Sequence, residues 1–164
     1  MRPVIPLILA LLFAAPLAAQ PVPAPAGQSV RLVLAADGVQ IYACEARADG
    51  HGWAFKGPEA ALFDASGRQL GTHGAGPSWR LAEDGSMVRG EVAATAPSPV
   101  AGAIPWLLLR VSQKEGEGAL ARAAWIRRID TVGGTPPPRE ACDAARTGAV
   151  ARMRYSAVYE FLGE

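Results

Sequence analysis

ARMRYSAVYEFL, residues 151–162, alternates strictly. Met153, Tyr155, Ala157, Tyr159 and Phe161 fall on one side, and Arg152, Arg154, Ser156, Val158 and Glu160 on the other. Side chains of an extended chain point alternately to its two faces, so a period of two predicts a strand with one face in a core. Working back from this run, the same pattern recurs about every ten residues. SVRLVLAA (29–36) is followed by Asp37-Gly38 and then VQIYACEAR (39–47), which reads as a strand, a turn and a second strand. In the second of these, Val39, Ile41 and Ala43 share one face, and Gln40, Tyr42 and Cys44 the other. Asp49-Gly50 marks the next turn, before GWAFKG (52–57). EAALFDASGRQLGTH (59–73) reads as a hairpin about Ser66-Gly67, and SWRLA (78–82) and MVRGEVAAT (87–95) as a pair about Asp84-Gly85. WLLLRVSQ (106–113) and RAAWIRRIDT (122–131) complete the strands, and EACDAAR (140–146) is expected to form two helical turns.

Short strands with tight turns and little helix predict an all-β domain, an antiparallel β-sandwich or small barrel with one short helix near the C-terminal third. No long helical period supports a doubly wound fold. Each of the four tryptophans, Trp53, Trp79, Trp106 and Trp125, falls on a different strand. Most are expected in the core, where an aromatic ring buries a large apolar area; a ligand groove is the alternative.

The chain begins MRPVIPLILALLFAAPLAAQ. A basic start, an apolar centre and small residues predict a signal peptide over 1–19, cut after Ala19, with a retained anchor as the alternative. The run is short for a membrane span, which needs about 20 apolar residues. QPVPAPAGQ (20–28) is expected as a proline-rich leader, with 29–164 as the single domain. An exported, periplasmic or secreted protein follows, with no membrane span after cleavage. Without Arg2 the remaining chain has 15 basic and 15 acidic residues, from 16 and 15 in the whole sequence. That balance attracts neither nucleic acid nor anionic membrane. Cys44 and Cys142 are the two cysteines, and an even count in an exported chain points to a disulfide; two buried free thiols are the alternative.

GTHGAGPSWRLAEDGS (71–86) comes nearest to chemistry. His73, Asp84 and Ser86 supply the residue types of a hydrolase triad. The context argues for turns instead: Ser86 follows Asp84-Gly85, and the chain has no G-x-S-x-G elbow. His51 and His73 are the two histidines, and neither has a partner at ligand spacing. A metal site would have to be completed by Asp49, Glu59 or Asp84 through folding, and no metal is expected. The glycines match no phosphate loop or dinucleotide fingerprint, so no cofactor is expected either.

Several segments together resemble one family. They are GVQIYAC (38–44), W-x-F-x-GPEAALFDASG (53–67), G-x-H-x-x-GPSW (71–79), DGSMVRGEV (84–92), IPWLLLRV (104–111), IRRIDTVGG (126–134) with Cys142-Asp143, and VYEFL (158–162). In this order they resemble domain-of-unknown-function family 3455, small exported proteins of bacteria and fungi. The resemblance implies a compact β-rich exported domain with its two cysteines paired, and no established activity. A dehydrogenase label on some relatives finds no support in these residues. After His73 the family usually has a bulky aromatic, where this chain has Gly74.

Glu59, His73, Trp79 and Asp84, with Trp53, are the candidate binding residues. Gly57-Pro58 and Gly76-Pro77 are expected as turns that bring two of the motifs to one end of the sheet. The reading that follows is an envelope binding or interaction module without enzymatic activity, a monomer whose partner is a small molecule or an envelope protein. The alternatives are an envelope hydrolase using His73 with Asp84 or Glu59, and a structural protein or inhibitor of a secreted enzyme.

Overall fold

The structure, a computed structural model, describes residues 22–164. The signal peptide expected over 1–19 and the first two residues of the expected leader lie outside the described residues. Eight strands run in order: β1 (Ser29–Arg47), β2 (Gly50–Phe63), β3 (Gln69–Gly74), β4 (Ser78–Leu81), β5 (Met87–Ala96), β6 (Trp106–Glu115), β7 (Trp125–Gly133) and β8 (Val150–Gly163). Each pairs antiparallel with the next, and β8 returns to pair with β1. The all-β expectation holds, and of its two forms the structure takes the barrel. One sheet closes into a ring, though β2 before Ala60 has no ladder partner on β3 and β5 beyond Arg89 has none on β4. The ring is irregular, because β3 and β4 are short and bulges interrupt several ladders.

The alternation in β8 holds: Tyr155, Ala157, Tyr159 and Phe161 are buried, and Arg152, Arg154 and Ser156 are exposed. Three expectations need correction. Asp37-Gly38 is not a turn, since β1 runs unbroken through it. Gly38 pairs with Ala60, and a Cβ there would stand 2.2 Å from the Glu59 carbonyl oxygen, so the glycine permits close approach of two strands. Gly57-Pro58 is not a turn either. It lies inside β2 at a bulge, where the pairing jumps from Ile41 with Gly57 to Tyr42 with Phe55. Gly57 takes a φ of 143°, open only to glycine, and proline at a bulge loses no ladder bond that matters.

The third correction is the helix at 140–146. The segment forms two 3₁₀ turns, Arg139–Ala141 and Ala144–Arg146. Between them Cys142 is extended, tied to Cys44 by a disulfide. That tether, with three prolines upstream, prevents a continuous helix. The tryptophans also depart from expectation: Trp79 is fully buried, whereas Trp53, Trp106 and Trp125 are half-buried.

The core fills one end of the barrel. Leu34, Leu62, Leu81, Val88, Ile126 and Phe161 point inward there. A 3₁₀ turn, Ala119–Arg122, inserts Leu120 among them as a plug. At Val22 the leader packs onto the barrel instead of standing free: Val22 is buried, and its carbonyl accepts a bond from Arg127 Nη1 at 3.2 Å. No helix among the described residues is long and apolar enough to cross a membrane.

Candidate functional site

The other end of the barrel is open. A cavity of about 450 Å³ enters it. An eight-stranded barrel is about wide enough for its side chains or for one small ligand. The floor comes from inward positions of distant strands: Gln40 and Tyr42 on β1, His73 on β3, Trp79 on β4, and Tyr159 on β8. Leu107 and Leu109 on β6 add an apolar wall, and Arg128 on β7 reaches in beside them. The rim carries Phe55 and Val92, both more than half exposed, and the segments Gly57-Pro58 and Gly76-Pro77. The two Gly-Pro pairs therefore do meet at one end of the sheet, one as a bulge and one as a hairpin turn. A Cβ on Gly57 would stand 2.8 Å from that of Ala75.

His73 is buried in this floor. Its register partner is Trp79, and the rings stack with centroids 4.4 Å apart and planes 12° apart. Tyr159 meets the imidazole edge-on at 4.9 Å. Nδ1 lies 2.8 Å from the Ser78 carbonyl oxygen, so Nδ1 carries the proton and donates, and Nε2 keeps its lone pair. Burial pushes the His73 pKa down to about 4, and the Arg128 charge adds to that effect against the Ser78 carbonyl. The imidazole is therefore neutral at pH 7.

The tyrosines are buried with it. Burial raises the pKa of Tyr42, Tyr155 and Tyr159, and Arg128 opposes the rise at each. Tyr42 donates its hydroxyl to the Gly134 carbonyl at 2.7 Å. By contrast, Gln40 Nε2, Trp79 Nε1 and the Tyr159 hydroxyl have no hydrogen-bond partner at bonding distance among the described residues, although Tyr155 and Arg128 come near enough to the Tyr159 hydroxyl to offset part of its pKa rise. Three buried polar atoms without partners around one cavity are costly in a finished core.

The expected residues separate. Of the five binding candidates, His73 and Trp79 line the cavity. Glu59 neighbours Ala60, the register partner of His73, but faces outward and forms an exposed ion pair with Arg152. Trp53 stands opposite Cys44 and donates its indole N–H to the Pro138 carbonyl at 3.2 Å. Asp84 lies past the other end of β4, in the turn to β5. Its carboxylate accepts from Ser86 N at 2.8 Å, Ser86 Oγ at 2.6 Å and Ala119 N at 2.7 Å. The Ser86 hydroxyl first, then the Ala119 amide, hold its pKa below the usual carboxylate range. Ser86 Oγ in turn accepts from Leu120 N at 3.3 Å. Asp84 and Ser86 thus fasten the Leu120 plug, and His73 bonds to neither of them among the described residues.

Among the described residues no Ser, Thr, Cys, Asp or Glu side chain lines the cavity. Among the described residues no three His, Cys, Asp or Glu side chains gather as a metal site. Gly74 lines a second, open groove, together with Glu59, Thr72 and Arg152.

The geometry defines a class: a closed antiparallel β-barrel, plugged at one end and holding a small aromatic cavity at the other. Residues 25–163 match the family described as "Protein of unknown function (DUF3455)", and the chain belongs to it. No curated protein and no solved structure matches the chain.

Sequence reasoning missed Gln40, Tyr42, Tyr159 and Arg128 as site residues. A signal existed for Tyr159, which the period-two pattern places on the same face as Phe161. Arg128 had none, because arginine normally marks an outward position.

Proposed function

We propose that this chain is an exported binding protein that takes a small organic molecule into the barrel through the open end. The observation that carries the reading is the set of unpartnered buried polar groups, Gln40 Nε2, Trp79 Nε1 and Tyr159 hydroxyl, around an otherwise aromatic and aliphatic cavity. Ligand pockets combine a mostly apolar lining with a few polar groups that fix orientation. The volume lies within the roughly 300–1,000 Å³ range of small-molecule sites. Hydrolysis is less well supported: among the described residues no carboxylate orients His73, and no hydroxyl or thiol nucleophile of the Ser, Thr or Cys type shares its cavity. Export is supported by the apolar leader and by the Cys44–Cys142 bridge, since disulfides persist in oxidising compartments.

The test is a thermal-shift and tryptophan-fluorescence screen of residues 20–164 against small amphiphilic molecules. Trp79 reports directly from the cavity floor. Binders are expected to raise the unfolding midpoint and to be excluded by Leu107→Trp, which fills the cavity. Ligands that bind Leu107→Trp as tightly as the parent protein would place their site elsewhere and overturn the proposal.

A further inference from the structure

Charge around the cavity is one-sided. Among the described residues the lining includes two cations, Lys56 and Arg128, and no carboxylate. Lys56, at the rim, forms an ion pair with Glu45. Arg128 forms no ion pair among the described residues. Its neighbour Arg127 shows the ordinary arrangement: it is bonded to Glu160, its register partner. Arg128 instead pairs in register with Tyr159, which faces the barrel interior, so its stem enters on the same face. There its Nε and Nη2 donate to the Pro105 carbonyl at 3.1 and 2.8 Å. Those bonds fix one edge of the guanidinium without neutralising it.

A half-buried guanidinium without a counter-charge is unfavourable unless something supplies one. The unpartnered groups beside it point the same way. An indole N–H and an amide NH₂ only donate, and a tyrosine hydroxyl donates readily. One unpaired cation suits one negative charge, and a planar fork suits a carboxylate. Phe55, Val92, Leu107 and Leu109 offer apolar surface leading away from it.

We infer that the occupant of the cavity is a small monocarboxylic acid, its carboxylate held by Arg128 and its apolar body against Leu107, Leu109 and the Phe55–Val92 rim. This inference rests on the binding reading above and names its ligand class. Two features make the class specific: a single charge, and a body without further polar groups to leave unpaired.

The experiment uses a matched series, 4-phenylbutanoate, 4-phenylbutanamide and 4-phenylbutylamine, titrated calorimetrically into residues 20–164 at pH 7. The acid is expected to bind about tenfold or more tighter than the amide, the size of one charge-assisted bond. The amine should bind more weakly than the amide. In Arg128→Gln the acid is expected to lose its advantage over the amide. Acid and amide of equal affinity in the parent protein would overturn the carboxylate inference while leaving the cavity reading in place. Failure of all three to bind would count against both. Should Arg128→Gln not fold, carboxyl-¹³C-labelled 4-phenylbutanoate bound to the parent protein decides the matter. Contact with Arg128 lowers the pH at which the bound carboxyl titrates, and an unshifted titration would overturn the assignment.

Discussion

The sequence offers His73 as a possible catalytic base, yet its surroundings make it a neutral member of an aromatic stack. Trp79 lies on one face, Tyr159 meets the edge, and Arg128 disfavours a positive charge there. Its pKa near 4 in the folded protein and near 6.5 in the unfolded chain fixes a pH dependence. Between these values the unfolded state binds more protons, so stability is full above about pH 6.5 and falls as the pH drops toward 4. The shift corresponds to up to about 3 kcal/mol. Urea unfolding at several pH values should show this slope in the parent protein and its loss in His73→Phe; an equal slope in both would assign the effect to other groups. Asp84 has a different task. Asp84→Ala removes three accepted bonds that hold the plug, which predicts a loss of about 1–2 kcal/mol in denaturant unfolding. Affinity for a cavity ligand should be unchanged, because Asp84 lies beyond the opposite end of β4.

Among the elements, β1 and β2 carry the irregularities that make room for the site. The bulge between Ile41 and Tyr42 carries Lys56 past the ladder and sets Phe55 on the cavity rim. A bulge bends its strand and increases local twist, which suits a barrel opening at one end. Gly38 lies a few residues along, where the two backbones come too close for a side chain. Gly38→Ala would place its Cβ in contact with the Glu59 carbonyl and with Ala60, and should destabilise the protein by about 1–3 kcal/mol or more. Hydrogen exchange should quicken along the 35–41 and 57–63 pairing first. Uniform loss of protection across the barrel would mean the strain is not local.

For the whole molecule, closure depends on joining the first strand to the last. The disulfide reinforces the same junction, linking β1 to the segment that precedes β8 across a sequence separation of 98. Closing so long a loop restricts the unfolded chain, and on the chain-entropy view that contributes about 4–5 kcal/mol. Cys44→Ala with Cys142→Ala should lower the unfolding midpoint by many degrees and leave the β-rich circular dichroism spectrum of the native state in place. A midpoint unchanged from the parent would show that the unfolded chain is already restricted by other means.

What the sequence decided by itself is the strand content. Alternation in residues 151–162, the hairpin about Ser66-Gly67 and the pair about Asp84-Gly85 are local signals, because face and turn conformation depend on neighbours along the chain. The even count of cysteines behind an export-type leader pointed to a disulfide, and folding decided between that bond and two buried thiols. The sequence could not say which face of 39–47 turns inward, since Ile41 and Tyr42 are both acceptable in a core. Nor could it show that Asp37-Gly38 would be pulled straight by strands on both sides. The cavity belongs wholly to the tertiary structure. Gln40, His73, Arg128 and Tyr159 come from four strands, and only ring closure brings them together. Register then sets Arg128 inward and Glu59 outward, a choice made by pairing partners far away in sequence rather than by the residues beside them.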